Sequence, residues 1–399
     1  MIFSIKRFCR ILYDKIKLPF KQIGNIIFEI MKIAFLSTFY PFRGGIAQFN
    51  GALFRALEKQ HDVKAFNFTT QYPSFLFPGK TQFVEEDDKA DHIPSERILN
   101  SMSPASFVQT VRKIKDFAPD LLIIGYWMPY MAPSLGYVAG KMNKTCKVVS
   151  IVHNATPHEQ GKMDRSLSNY FFKRNTKCIT LSNAVKNDLE SKFPAIDTKV
   201  LLHPVYEHFG IKVDKLEAHE KLSIPSDKKQ ILFFGLIRDY KGLDLLIKAM
   251  PDLPENYNLT IAGEVYGTFN EYQKIITSLG LEERVHLHLK YIPDEDVKLF
   301  FSMADVVALP YRSATQSGIV AIAKHFSKPV VATDVGGLSE FIVRPSEGEI
   351  TNSISSAEIA RSIRNVVEND EHSEPLSNSK PYSWEQFAQE LLEFAESKH

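Results

Sequence analysis

Nowhere in these 399 residues does an apolar run reach the ~18 positions that a membrane-spanning helix requires. Cysteine is scarce. Cys9, Cys146 and Cys178 are scattered without the paired spacing of a metal site or a disulfide frame, so reduced thiols in a cytoplasmic protein are expected. The 12 histidines include no pair at zinc-ligand spacing with a carboxylate between, so no metal centre is expected. Net charge is short as well: 48 Lys and Arg against 47 Asp and Glu leave +1, which removes any global electrostatic case for nucleic acid. What is present is an ordinary globular composition, 44% hydrophobic and 24% charged, which excludes wholesale disorder. The length is large for one core and favours two or three domains.

The charge is unevenly placed. Residues 1–30 carry Lys6, Arg7, Arg10, Lys15, Lys17 and Lys21 against Asp14 and Glu29, and Ile5, Phe8, Ile11, Leu12 and Ile16 can line one helical face. Such a basic amphipathic extension can lie on an anionic membrane surface, making the protein peripheral to the inner face of a membrane. Two other readings stay open: the segment packs on the protein itself, or the mature chain starts at Met31.

From Met31 the pattern becomes regular. Ile33–Leu36 reads as a buried strand, Gly44-Gly45 follows, and Ile46, Phe49, Leu53, Phe54 and Leu57 make a helical stripe. Further strands are expected at 63–68, 121–124, 148–152, 178–181 and 199–202, with residues 70–105 as loop containing some local helix. His203-Pro204 closes this unit. Residues 205–228 read as a polar linker. A second unit over 229–380 repeats the alternation, with strands at 231–234, 259–262, 285–289, 306–309 and 329–333, and the last helix lies within 381–399. Strands alternating with helices imply parallel sheets covered on both faces. The fold class is therefore α/β, two Rossmann-like doubly wound domains facing across a cleft, with ligands at the carboxyl ends of the strands.

The candidate chemistry lies at those ends. Arg238 and Lys241 stand on the loop that leaves Gly235, and two cations before a helix suit a ligand with more than one negative charge. Gly44 and Gly45 open the first helix of the N-terminal unit. His153 ends a buried strand, where it could bond a substrate hydroxyl or move a proton, or serve a structural role. His158 and Glu159 carry a weaker signal. Glu264 follows Gly263 at a strand end, and Thr315, Gln316, Ser317 and Gly318 form a polar helix start. Tyr126-Trp127 could stack on a sugar or belong to the core.

As an ordered set, Phe39-Tyr-Pro-Phe-Arg-Gly44-Gly45, Val152-His153-Asn154, Phe234-Gly235-Leu-Ile-Arg238-Asp-Tyr-Lys241-Gly242, Ile261-Ala-Gly-Glu264, Ala304-Asp305-Val-Val-Ala-Leu-Pro-Tyr311 and Pro329-Val-Val-Ala-Thr-Asp-Val-Gly-Gly337 resemble the glycosyltransferases of family 4, the group 1 type with the GT-B fold. The resemblance covers residues 31 to about 345 and continues toward the C-terminus. It implies retaining glycosyl transfer from a nucleotide-sugar, without a cofactor or an obligatory metal. It assigns Arg238 and Lys241 to the departing diphosphate, Gly44 and Gly45 to the donor phosphates and the acceptor, and His153 to the transferred sugar. Two departures stand out. The family's basic residue directly after the loop glycine is Leu236 here, with Arg238 two positions later. The family's Glu-x7-Glu motif would fall near Ala314 to Gln316 and Ile322 or Ala323, where no carboxylate stands, leaving Thr315, Gln316 and Ser317 as neutral substitutes.

The resulting expectation is a hexosyltransferase-type enzyme. It moves a sugar from a nucleotide-sugar to a saccharide or lipid-linked saccharide acceptor, in surface polysaccharide biosynthesis. The donor lies mainly on the C-terminal unit and the acceptor on the N-terminal unit near Gly44, residues 70–105 and Tyr126-Trp127. A sugar-nucleotide epimerase or hydrolase on the same fold, and a non-catalytic nucleotide-sugar-binding protein, are the rival readings.

Overall fold

The computed structural model describes residues 30–72, 81–84, 90–155, 164–206, 208–315, 317–342, 347–369 and 382–397. Residues 1–29 of the basic extension, His158, Glu159 and Gln316 lie outside them. Two wholly parallel sheets carry the fold. The first holds β1 (Lys32–Leu36), β2 (Asp62–Thr70), β3 (Ser95–Asn100), β4 (Leu121–Tyr126), β5 (Lys147–Val152), β6 (Lys177–Thr180) and β7 (Asp197–Val200) in the order β3-β2-β1-β4-β5-β6-β7. The second holds β8 (Lys229–Phe234), β9 (Tyr257–Ala262), β10 (Val285–His288), β11 (Val306–Leu309), β12 (Val330–Thr333) and β13 (Gly348–Thr351) in the order β10-β9-β8-β11-β12-β13. Every residue of β4 and of β9 is buried, as expected of central parallel strands covered on both faces.

Helices α1 (Gly45–Glu58), α2 (Pro104–Phe117), α3 (Ala132–Met142), α4 (Asp164–Phe172) and α5 (Asn183–Lys192) belong to the first sheet. The second has α6 (Lys215–Leu222), α7 (Leu243–Ala249), α8 (Asn270–Ser278), α9 (Asp294–Met303), α10 (Gly318–His325) and α11 (Ser356–Glu368). The direction in which successive strands are added reverses between β1 and β4 in one sheet and between β8 and β11 in the other, while every pair stays parallel. These are the switch points where an open α/β sheet leaves a crevice.

Two expectations change. The region 70–105 contains β3 at the sheet edge, whose polar Ser-Glu-Arg start hides the strand; only Ile98 and Leu99 are buried in the core. An edge strand has one neighbour and tolerates this composition. The polar linker contains α6. Asp214 caps it by accepting hydrogen bonds from Leu216 N at 2.8 Å and Glu217 N at 3.2 Å, and the short helix packs on α9.

The last helix, α12 (Trp384–Glu396), leaves the second domain and packs on α1 and β5 of the first. Ser383 and Gln386 close a capping box at its start. At its other end Lys177 Nζ donates to Phe394 O at 2.7 Å and Ser397 O at 2.6 Å, so a cation meets the negative helix terminus. Phe49 of α1 is the centre of this junction. Its ring meets His153, His203, Trp384 and Phe387 edge-on at centroid distances of 5.0, 5.2, 5.0 and 5.5 Å. Phe49→Ala is expected to destabilise the fold by about 3–5 kcal/mol, read as a lower denaturant midpoint.

Burial holds the neighbouring imidazoles neutral. It pushes His153 down to about 3, helped by repulsion from His203. His203 is pushed down to about 4 by burial, against its hydrogen bond with the Pro204 carbonyl. His208 is likewise pushed down to about 4, first by burial. In the unfolded chain these groups take up protons near pH ~6.5, before the folded protein does. Stability is therefore expected to be complete above pH 6.5 and to fall as pH drops toward 4, which a series of urea midpoints across that window would measure.

Candidate active site

The two switch points face each other across a cavity of about 430 Å³. Its first wall comes from the loop after β1 and the start of α1. Buried Asn50 shapes this loop: Nδ2 donates to Ser37 Oγ at 2.8 Å and to Thr38 O at 2.8 Å. Gly44 precedes α1 with no side-chain cap, so the first N–H groups of a 14-residue helix are left to the cavity side. Thr38, Gln71, Tyr72 and Trp127 extend the wall. The opposite wall is built from the ends of β8, β9 and β11. Close backbone packing there demands glycine. A Cβ on Gly263 would lie 2.0 Å from Gly235 O, and one on Gly242, at φ +65°, would lie 2.0 Å from Pro310 O.

Lys241 is the electrostatic centre of that wall. It is 9% exposed, and no carboxylate among the described residues pairs with it. Burial lowers its affinity for the proton; Tyr240 offsets this and the charge of Arg238 adds to it. Its ammonium lies 5.5 Å from the ring centroid of Tyr311. A buried cation without a carboxylate is unfavourable by itself and favourable once an anion arrives. Arg238 stands beside it but outside the wall, its guanidinium 5.4 Å from the ring of Tyr240 and 5.1 Å from that of Tyr266. The helix expected after Lys241 is only the seven residues of α7, preceded by a 3-10 turn over Asp239–Lys241. The longer helix starts at the cavity are those of α1, α9 and α10.

The other predicted residues divide. Gly44, Gly45, Gly235, Glu264, Ser317 and Gly318 line the cavity with Lys241. Ser317 caps α10, accepting from Ile319 N at 3.3 Å. Thr315 does not line it: its hydroxyl donates to Asn154 Oδ1 and its carbonyl accepts from Ser182 Oγ at 3.0 Å, both on the other domain. His153 sits behind the wall, 3% exposed, with its N–H donating to Tyr126 O at 2.9 Å and its Nε2 without a partner among the described residues. Tyr126 is core, stacked on Phe171 at 4.4 Å, while Trp127 reaches the cavity.

At the positions where a Glu-x7-Glu motif would fall, Ala314 and Ile322 present apolar side chains to the cavity. Its carboxylates come instead from Glu264 and Asp294. Tyr240, Tyr266, Tyr291 and Tyr311 also line it and were not singled out from sequence. Each stands a few residues past the end of a different strand of the second sheet, and that recurrence was the available signal.

Several polar contacts join the two walls. Arg43 pairs with Glu264 at 2.5 Å, and Gln48 Nε2 donates to Asp294 Oδ1 at 2.6 Å. The Glu340 carboxylate accepts from Asn183 N at 2.6 Å and Ala184 N at 2.9 Å, an acid placed at the positive end of α5. A smaller cavity of about 250 Å³ runs along α1 beyond these bridges and shares Arg43, Gly44, Gln48, Tyr291 and Asp294 with the first.

Comparison with known proteins bears on the same two halves. Residues 43–205 match Glycosyltransferase Family 4 and residues 214–395 match Glycosyl transferases group 1. A glycosyltransferase of Methanocaldococcus jannaschii is 30% identical over 230 residues, covering 54% of this chain and 58% of that protein. The D-inositol 3-phosphate glycosyltransferase of Corynebacterium urealyticum is 31% identical over 195 residues, 45% of this chain and 46% of that one. The chain thus spans about half the length of these curated relatives. In fold it is similar to Anabaena HepE, solved in complex with UDP and glucose, with a TM-score of 0.71 at 20% identity over 92% of this chain and 100% of the other. Two matches that together run from residue 43 to residue 395, on a pair of facing parallel sheets, settle the family: the chain belongs to the family 4, group 1 glycosyltransferases and has their GT-B fold.

Proposed function

We propose that this protein transfers a sugar, with retention of configuration, from a nucleotide-sugar to a saccharide or lipid-linked saccharide acceptor in surface polysaccharide assembly. The observation that carries the reading is Lys241, a buried ammonium paired with no carboxylate among the described residues, in the wall of a cavity large enough for a sugar nucleotide. As the bond between the sugar and the diphosphate breaks, negative charge develops on the departing phosphoryl oxygen. A cation already fixed in a water-poor wall stabilises that charge without reorganising. The reading gives this task to Lys241, with Arg238 behind it raising the local potential, and invokes no metal or cofactor. The uncapped start of α1 at Gly44 and Gly45 offers N–H groups to the same anion.

In this reading Glu264, Ser317 and Gly318 contact the donor, and the acceptor approaches past Trp127, Gln71 and Tyr72. His153 acts on the transferred sugar through its unpartnered Nε2 once the wall in front of it shifts. It acts there as a neutral group, because burial suppresses its proton. Anabaena HepE, similar in fold, has been solved with UDP and glucose and with UDP-glucose, a nucleotide-sugar. Contact of residues 1–30 with a membrane surface would bring a lipid-linked acceptor to the cleft.

A thermal-shift screen against UDP-, GDP-, ADP- and dTDP-sugars is expected to show stabilisation by one of them. Lys241→Ala is expected to lose that stabilisation and to reduce transfer about 10²- to 10³-fold. Its ligand-free melting temperature should be unchanged or higher, since an uncompensated buried charge has been removed. Full activity in Lys241→Ala would sink the phosphate assignment. Sugar release or epimerisation that ignores the acceptor would favour the hydrolase or epimerase reading. Nucleotide binding without turnover on any acceptor would favour a binding protein.

A further inference from the structure

The loop between β1 and α1 carries a cation to which its glycines assign no part. Arg43 immediately precedes Gly44, and its guanidinium crosses the cleft. Nη2 donates to Glu264 Oε2 at 2.5 Å, and the group lies 4.8 Å from the ring centroid of Tyr291. The side chain is only 7% exposed. A guanidinium has five N–H donors in a planar fork. Among the described residues only Nη2 of this one is hydrogen-bonded, which leaves Nε and Nη1 unused in a side chain that lines both cavities. A charge so far from water with most of its donors unused is unfavourable unless a further anion is held there.

The position of the pair says which anion. Glu264 follows Gly263, whose Cβ position lies 2.0 Å from Gly235 O, and Lys241 Nζ lies 3.3 Å from the Cβ position of Gly235. Arg43 therefore meets the second domain beside Gly263, which packs on the Gly235 that borders Lys241. A planar fork fixed at one edge by a carboxylate and on one face by an aromatic ring is already oriented to offer its free edge to a phosphate.

We propose that Arg43 is a ligand for the donor diphosphate supplied by the first domain, with Glu264 and Tyr291 as the positioning residues that hold its guanidinium in plane. The inference rests on the nucleotide-sugar reading of the cavity. It extends that reading by giving the diphosphate a cation from each domain, so that binding the donor and closing the cleft become one event. A merely structural role for Arg43, holding the domains together, would support the whole nucleotide equally.

The test is calorimetric titration with UDP, GDP, ADP and dTDP, followed by the monophosphate and the free nucleoside of whichever base binds. Arg43→Ala is expected to weaken the diphosphate about 10- to 100-fold, the loss of charge-assisted hydrogen bonds, and to change nucleoside affinity less than about threefold. Arg43→Lys should fall between, because it keeps the charge and loses the fork. The double variant Arg43→Ala/Glu264→Gln removes both charges, so that no lone carboxylate is left buried, and should weaken the diphosphate at least as much as Arg43→Ala. Equal weakening of nucleoside, monophosphate and diphosphate, or unchanged diphosphate affinity, overturns the proposal while leaving the nucleotide-sugar reading intact. A wild-type protein that binds none of the four diphosphates overturns both.

Discussion

Lys241 holds an ammonium in the wall of the cleft, nearly out of water, with Arg238 nearby and no carboxylate paired with it among the described residues. Much of the surrounding backbone is arranged to keep it there. Gly242 packs under Pro310 O, Gly263 packs on Gly235 O, and the ring of Tyr311 covers the ammonium. Larger residues at those glycines would separate β8 from its neighbours and admit water to the charge. The cost of that buried charge is electrostatic, and either loss of the proton or a negatively charged neighbour relieves it.

The first domain answers this wall through a different construction. The loop before α1 is held by buried Asn50, and α1 itself is held by Phe49 against the returning helix α12. His203 and Tyr206 connect this cluster to the glycine loop: His203 Nε2 and Tyr206 OH are 3.0 Å apart, and the Tyr206 hydroxyl donates to Gly45 O at 3.3 Å. The segment joining the two domains thus touches the loop that borders the cleft. Arg43, Gln48, Asn154 and the start of α5 meet the second domain through polar contacts. Polar contacts of this kind, several of them exposed, can be exchanged for water more readily than a packed apolar interface.

Much of the second sheet was legible in the residues themselves. Ile231–Phe234, Leu259–Ala262 and Val306–Leu309 are short apolar runs bounded by glycine, proline or charge, the pattern of a parallel strand buried on both faces. Edge elements were less so. β3 begins with Ser-Glu-Arg, and α6 lies in a polar stretch, because each contacts the core on one narrow side. In the site, Gly44, Gly45, Lys241 and Glu264 were identifiable from their places after strands. Arg43 was visible in the same loop, but nothing in the sequence distinguishes a solvated arginine from one that crosses a cleft.

Local order therefore came from the chain alone: which apolar segments are the central strands, which loops carry glycine and cations, and that the loops of each half gather at one sheet edge. Those properties depend on neighbours a few residues apart and on the right-handed rule for parallel crossovers. Tertiary structure decided how those loops are used. It turned Thr315 to Asn154 and away from the cavity, set His153 behind the wall, and parted Tyr126 from Trp127. It also brought Arg43 onto Glu264 across 221 positions of sequence. Burial and charge pairing are set by groups that only folding makes neighbours, and for that reason no local pattern could have assigned them.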